Sequence, residues 1–550
     1  MGYVLGFQKL FIPLFSMSFM LLTKSNYLLG LQCPKLLWTA KNEKEKIPEP
    51  DEVAQARFSA GNEVGELAKK LYPEGIDLSG LGFKENIDKT KEALEKRVPL
   101  FEAGFMIDNL YARADVLVPT GKDHWDIVEV KSATKVKEVN IDDVSFQKYV
   151  YEKAGLKIRN CIVMHINNEF VKNGEIKAEE FFAKRDVLDR VAEKSVDIEK
   201  RIDNFLKIIN SKEKPKCSIG VHCSDPYDCS ITGECWEGVP DGSVFDFYRM
   251  RKTNCFGMYD MGITKMTEVS DGVKLNDKQQ IQRRLALASK DVPSTQTASA
   301  SADKVGKERV HKDEKEIKNF LNGLEYPIYY LDFETINPAI PKFDKSKPYQ
   351  QIPFQYSLHV QKEKGGELKH VSFLAEGKDD PRVKFLQSLK DNLADKGTIL
   401  VYNQSFEIAR LKEGIDAFEE FAEWGKKNVI PRIKDLWDIF RNFYYYDPKQ
   451  KGSASIKYVL PVLSDLKYDD LEIKNGSLAS LEYERVTYGS SADIVKGDLF
   501  GRSEEEVGKL VEKEIARVYG ALEKYCELDT MAEVRIVEGL WEILKGEEDK

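Results

Sequence analysis

The chain has 550 residues, 42% of them apolar and 32% charged, with a formal net charge of −9. That length exceeds what one hydrophobic core organises, so two or more domains are expected, and the composition is that of an ordinary soluble globular protein. An isoelectric point near 5.6 argues against a protein that coats nucleic acid without specificity, but a carboxylate-rich metal site with local basic grooves is compatible with it.

In chain order, Phe11 to Leu22 is apolar but contains Pro13, is too short to span a bilayer and has only Lys9 ahead of it. It lacks a small-x-small cleavage site. Neither a membrane anchor nor a secretory leader is expected, Met17 or Met20 is the expected natural start, and the compartment is read as cytoplasmic. Cys33 follows, in Gln32-Cys33-Pro34-Lys35-Leu36-Leu37-Trp38.

Next come Arg113-Ala114-Asp115-Val116-Leu117-Val118, Asp126-Ile127-Val128-Glu129-Val130-Lys131-Ser132 and Gln147-Lys148-Tyr149-Val150-Tyr151. Asp115 is expected at one end of a strand. Glu129 and Lys131 lie two apart on the next strand and therefore share a face. Gln147 and Tyr151 lie four apart, on one face of a helix. Two carboxylates can hold magnesium while the lysine steadies the attacking water or the charge growing on phosphate. An isolated Glu-x-Lys is a weak signal, but the ordered set resembles the PD-(D/E)XK nucleases, and the Gln-x-x-x-Tyr resembles their RecB-like branch. That resemblance implies Asp115 and Glu129 as metal ligands, Lys131, Gln147 and Tyr151 as catalytic partners, and Glu63 or Glu66 as an added ligand.

Cys217, Cys223, Cys229 and Cys235 then crowd one short segment. In a cysteine-poor chain with no secretory leader, such a group reads as metal or cluster ligation rather than disulfides. Zinc usually takes C-x2-C knuckles, whereas iron–sulfur clusters accept less regular spacing. RecB-like nucleases with an iron–sulfur staple place one cysteine before the core and three after it. By that resemblance Cys33, Cys223, Cys229 and Cys235 hold a 4Fe-4S cluster, with zinc as the alternative. Cys217 is the spare, read as a small buried hydrophobe, and Cys161, Cys255 and Cys526 as packing residues.

Residues 241–290 read as a short helical connector, and Asp291 to Ala302 opens a low-complexity linker over 291–320. Lys131, Lys135 and Lys137, with Arg283 and Arg284, are candidates for basic grooves.

The back half, 321–546, carries the clearest chemistry. Tyr329-Tyr330-Leu331 runs into Asp332-Phe333-Glu334-Thr335, followed by Asn403-Gln404-Ser405-Phe406-Glu407 and Tyr525-Cys526-Glu527-Leu528-Asp529. On a strand Asp332 and Glu334 share one face and Phe333 takes the core face. Tyr525 and Asp529 share a face of the helix expected from about Ser503 to Leu544. Phosphodiester hydrolysis needs divalent cations, and hard cations need carboxylate oxygens. The three motifs resemble, in order, those of the DEDD 3′-to-5′ exonucleases on a ribonuclease-H-like fold. That implies Asp332, Glu334, Glu407 and Asp529 as magnesium or manganese ligands and Tyr525 as the residue that orients the water. Glu407 departs from the family's usual Asp, so Asp435 is a candidate to share its task.

The whole is similar to the bacterial family of domain of unknown function 2779. The signatures are Cys33-Pro34-Lys35-Leu36-Leu37-Trp38, His222-Cys223-Ser224-Asp225-Pro226, Ile352-Pro353-Phe354-Gln355-Tyr356-Ser357 and Gly452-Ser453-Ala454-Ser455-Ile456-Lys457. The expected fold is α/β, a PD-(D/E)XK-like core over 20–240 followed by a ribonuclease-H-like domain. The expected function is a metal-dependent nuclease. DNA and RNA both satisfy this chemistry, because carboxylate–metal sites are indifferent to the sugar. A catalytically weakened nucleic-acid-binding scaffold and a redox-regulated nuclease are the competing readings.

Overall fold

The computed structural model describes residues 20–290, 309–497 and 499–545. Met17 and the low-complexity stretch 291–302 lie outside them. The architecture is mixed α/β, in two compact units. The described residues of Met1–Glu49, Gly65–Ile166 and Phe182–Cys235 form the first, and those of Pro50–Val64, Asn167–Phe181 and Trp236–Lys550 the second.

The first unit is built on strands β1 (Leu22–Thr23), β2 (Ile76–Asp77), β3 (Leu100–Ile107), β4 (Leu110–Thr120), β5 (His124–Lys131), β6 (Lys157–Ile166) and β7 (Phe182–Asp186). They form one sheet in the order β2-β3-β4-β5-β6-β7, with β1 added parallel to β4. β5 is buried on both faces from Trp125 to Glu129, as expected of a central strand. It pairs in parallel with β6, and helix Glu138–Lys153 makes the crossover that such a pair requires. Asp115 lies in the middle of β4, not at a strand end, because the apolar alternation continues on both sides of it.

The second unit contains β8 (His311–Lys312), β9 (Ile328–Ile336), β10 (Ile352–Gln361), β11 (Leu368–Leu374), β12 (Thr398–Val401), β13 (Ile433–Asp435) and β14 (Tyr445–Tyr446). Five strands form a sheet in the order β11-β10-β9-β12-β13, and β8 pairs with β14. β9 is antiparallel to β10 and parallel to β12. The period of two sorts β9 cleanly. Tyr329, Leu331 and Phe333 pack against Phe385, Leu389, Leu411 and Ile415 of helices Arg382–Asn392 and Gln404–Ala417. The alternate residues Tyr330, Asp332 and Glu334 take the opposite face, which the C-terminal helix Glu504–Lys545 crosses over β9 and β10.

The domain boundaries differ from expectation at Pro50–Val64, which belongs to the second unit, and at two further segments. Residues 241–290 are part of the second unit: Tyr248 and Leu285 share a core with Ile439, Phe440 and Phe443, and Tyr248 N–H donates to Gln282 at 2.7 Å. The segment Asn167–Phe181 also joins that unit, through Lys172 and its bonds to Asp344 and Ser346. Among the described residues no helix is long and apolar enough to cross a membrane.

Candidate metal centre

In the second unit β9 and the C-terminal helix bring Asp332, Glu334 and Asp529 together, with one carboxylate oxygen of each inside a 4.8 Å span. Glu334 and Asp529 are buried, and burial pushes all three carboxyls up, their mutual repulsion adding for Asp332 and Glu334. Asp529 rises to about 6, restrained by hydroxyl donors: Tyr468 at 2.7 Å and Tyr525, the expected partner one helical turn away. Gly476, at the start of helix Gly476–Tyr488, comes so close to Glu334 that an added Cβ would sit 3.3 Å from its carboxylate.

Glu407 lies in the first turn of helix Gln404–Ala417. Asn403 allows the abrupt exit from β12 by taking φ 78°, a left-handed conformation that asparagine tolerates. Glu407 is outside the tight trio, yet it is buried, Asp332 raises its carboxyl after burial does, and its Oε2 has no hydrogen-bond partner. Asp435 is tied to the backbone of the same turn. Its Oδ1 accepts the N–H groups of Asn403 and Trp437, at 2.8 and 3.1 Å, and is used to shape the turn.

Two contributors escape sequence reading. Glu533, one turn beyond Asp529, is buried with an unpartnered Oε2 and faces Asp332, Glu407 and Asp529. Its spacing of four from Asp529 was the available signal. Tyr468 sits in an irregular segment with no motif around it. Lys457 supplies cationic compensation to Glu334 and Asp529, with its ammonium 5.6 Å from the Tyr468 ring and 5.9 Å from that of Tyr525. Buried carboxylates in this excess need cations, and an all-oxygen donor set suits magnesium or manganese. The residues fit such a centre.

In the same unit a cavity of about 480 Å³ is lined by Tyr248, Arg249, Tyr402, Asn403, Trp437 and the Gly452–Ile456 backbone stretch. The Arg249 guanidinium lies 5.4 Å from the rings of both Tyr248 and Trp437.

In the first unit Asp115, Glu129, Lys131 and Gln147 do converge, joined by Lys24 and Asp143. Lys24 and Lys131 both donate to Glu129 Oε1, at 3.0 and 2.6 Å, and Gln147 holds Oε2 at 2.7 Å. Lys131 and Gln147 also hold Asp143, at 2.8 and 2.9 Å, while Asp115 accepts from Val130 N–H. Burial, then Asp115 and Asp143, push Glu129 up to about 7. Both Glu129 oxygens thus accept from protein donors. Asp143 was detectable one turn before Gln147; Lys24, more than a hundred residues away, was not. Tyr151 is fully buried, donating to Ala103 C=O at 2.6 Å and accepting from Ala114 N–H at 2.7 Å, and so ties β3 to β4. Glu63 and Glu66 are solvent-exposed. Of the basic-groove candidates, Lys131 is committed to these carboxylates and Arg283 to Asp271 at 2.6 Å.

The cysteines also converge in the first unit. Cys33 sits between helices Lys24–Gln32 and Pro34–Asn42, and Gln32 donates to the carbonyls of His222 and Tyr227 at 2.9 and 2.7 Å. Cys33 and Cys229 share a small core against which Cys217 and Cys235 pack. Lys35 donates to Cys235 at 3.2 Å and Gly220 N–H to Cys223 at 3.4 Å. Cys217 is not a buried spare. It is half-buried, its Sγ lies 3.6 Å from His222 Nε2, and it forms with Cys33 and His222 a set of ligand atoms within 4.8 Å. Burial and the neighbouring Cys33 raise its thiol to about 11. Cys161, Cys255 and Cys526 are buried packing residues, as expected.

Residues 329–455, which carry the first two carboxylate motifs, match the family described as Domain of unknown function (DUF2779). The chain is 29% identical over 238 residues to an uncharacterized protein of Mycoplasma genitalium, covering 42% of this chain and 34% of that one. An uncharacterized protein of Ureaplasma parvum is 28% identical over 190 residues, 30% of this chain and 27% of its own. A Mycoplasma pneumoniae homologue of the first is 29% identical over 222 residues, 38% and 31% of the two chains. The matches therefore span about a third of the length of these relatives.

Proposed function

We propose that the second unit is a metal-dependent nuclease centre of the DEDD type on a ribonuclease-H-like fold, acting 3′-to-5′ on DNA or RNA. The observation that carries this reading is the carboxylate trio of Asp332, Glu334 and Asp529 within 4.8 Å, with Glu334 and Asp529 buried and the trio short of cationic partners. Magnesium or manganese, when bound, would acidify the attacking water and hold the leaving oxygen. Asp332, Glu334 and Asp529 would hold the metal, with Glu407 and Glu533 as further donors. Tyr525 and Tyr468 fix the Asp529 carboxylate and favour its ionised form, and Tyr525 is the residue to orient water. The aromatic cavity around Trp437, Tyr248 and Arg249 has the chemistry to seat an unpaired terminal nucleotide: ring faces for a base and a guanidinium for phosphate.

For the first unit, one observation favours the binding reading over a second cut. Lys24 and Lys131 both donate to the Glu129 oxygen that a PD-(D/E)XK metal would take, which supports the binding reading. Its role in this proposal is to grip nucleic acid. Cys33, Cys223, Cys229 and Cys235, with Cys217 and His222 beside them, fit a 4Fe-4S cluster or zinc, and Lys35 and the Gly220 N–H are suited to stabilise thiolates. None of the eight cysteines is paired in a disulfide, which suits a reducing cytoplasm.

The test is digestion of end-labelled single- and double-stranded DNA and RNA with magnesium or manganese. The forms compared are wild type, Asp332→Ala/Glu334→Ala and Glu129→Ala/Lys131→Ala. Stepwise 3′ shortening that is lost only in the first double variant supports the proposal. Absence of cleavage by wild type, with binding retained, overturns it in favour of a nucleic-acid-binding scaffold.

A further inference from the structure

On the face of the second unit's sheet that the C-terminal helix crosses, two histidines stand opposite each other on neighbouring strands. His359 of β10 pairs with His370 of β11, and their rings stack at 4.6 Å. Glu527 of the C-terminal helix brings a carboxylate oxygen 3.8 Å from His370 Nδ1. One ligand atom from each of the three lies within a 4.8 Å span. This group shares no residue with the carboxylate centre.

The inner nitrogens of both rings are tied by one hydroxyl pair. His370 Nε2 lies 2.9 Å from Ser357 Oγ, which is 2.7 Å from Thr530 Oγ1, which in turn is 2.8 Å from His359 Nδ1. Thr530 donates its own proton to the Glu527 carbonyl at 3.2 Å. The proton assignment that satisfies the chain then follows. Thr530 accepts from Ser357 and from His359 Nδ1–H, and Ser357 accepts from His370 Nε2–H. The nitrogens left outside this chain are His359 Nε2 and His370 Nδ1, the latter 3.8 Å from the Glu527 carboxylate. A lone pair beside a carboxylate repels it unless a proton or a metal cation lies between them. Fixing the remote nitrogen of each ring by a hydrogen bond is also how proteins set the tautomer and orientation of metal-ligating histidines.

We propose that His359, His370 and Glu527 form a second cation site, of the zinc class, at the β10–β11 edge of this sheet. Two imidazoles and a carboxylate are the donors that a borderline divalent transition metal prefers over magnesium or calcium, with a fourth position left to water beside the half-exposed Glu527. The site clamps β11 to the helix that carries Tyr525 and Asp529. Ser357 stands opposite Asp332 in the β9–β10 register, and Thr530 follows Asp529 in sequence, so occupancy braces the strand and the helix that position the carboxylate trio.

The test is titration of the full-length protein with cobalt(II) followed by visible absorption, together with the zinc content per chain after equilibration with zinc. A histidine–carboxylate site gives tetrahedral d–d bands without the thiolate charge transfer that the cysteine cluster produces. Expected is one such equivalent in wild type and in Asp332→Ala/Glu334→Ala, lost in His370→Gln and in Glu527→Gln, whose side chains are partly exposed and tolerate exchange. Ser357→Ala, which frees His370 Nε2, weakens binding about 10- to 100-fold. Equal cobalt spectra and zinc content in wild type, His370→Gln and Glu527→Gln overturn the proposal. Nuclease activity is not the readout, so the failure of either proposal leaves the other standing.

Discussion

Tyr468 donates its hydroxyl to Asp529 at 2.7 Å across 61 residues of chain, binding an irregular segment to the last carboxylate of the candidate metal centre. Hydrogen bonds to a charged group are worth roughly 1.5–3 kcal/mol. Tyr468→Phe is therefore expected to lower metal-dependent hydrolysis about 10- to 100-fold, with the fold retained. Removing this donor also raises the Asp529 carboxyl, so the activity that remains shifts to higher pH. Initial rates across a pH series, with a thermal melt of the same sample, check both effects.

The carboxylate centre makes metal-free stability depend on pH. Asp529 is raised to about 6, and Asp332 and Glu334 are also raised, chiefly by burial. Between an unfolded value of about 4 and these folded values, the folded chain binds more protons than the unfolded chain. In chelator the protein is therefore most stable at the acidic end of this window and loses stability as pH rises through about 6. Manganese is expected to flatten that slope by compensating the ionised carboxylates. Melting curves from pH 4.5 to about 8, with chelator and with manganese, test this; a metal-free melting temperature that rises with pH would contradict it.

Glu533 adds a buried carboxylate with an unpartnered oxygen to the centre. Glu533→Gln removes repulsion from Asp332, Glu407 and Asp529, so the metal-free protein is expected to melt higher. The same change removes a donor, so half-maximal activity is expected to need about tenfold more manganese. An unchanged metal requirement would leave Glu533 a bystander.

Lys24 and Lys131 together neutralise Glu129 and Asp143, whose side chains are 1% and 3% exposed. Lys24→Met leaves two buried carboxylates with one ammonium and is expected to destabilise the first unit by about 3 kcal/mol, as breaking a buried pair does. Lys24→Met/Glu129→Gln should recover most of that loss, because the uncompensated charge is gone. Urea denaturation of the single and double variants measures both.

Anaerobically purified protein is expected to carry iron and sulfide and to show visible charge-transfer absorption. Cys33→Ser should abolish it and lower the melting temperature, because Cys33 joins two helices to the cysteine segment. Cys217→Ser is the informative variant: loss of the chromophore there would make Cys217 a ligand. Stoichiometric zinc without the chromophore would replace the cluster with zinc.

Sequence alone determined what depends on local periodicity. The two-residue period put Asp332 and Glu334 on one face of a strand and Phe333 on the other, and the four-residue spacing put Tyr525 and Asp529 on one face of a helix. It likewise placed Glu129 and Lys131 on one face of a strand and Gln147 on the following helix. Only the tertiary structure decided how distant charges compensate one another. Lys24 reaches Glu129 across 105 residues, Tyr468 reaches Asp529 across 61, and Asp435, close in sequence to the second motif, is used to cap a turn. The reason is physical: periodicity fixes which way a side chain points within its own element, whereas which buried carboxylate receives a lysine, a hydroxyl or a metal depends on which elements pack together.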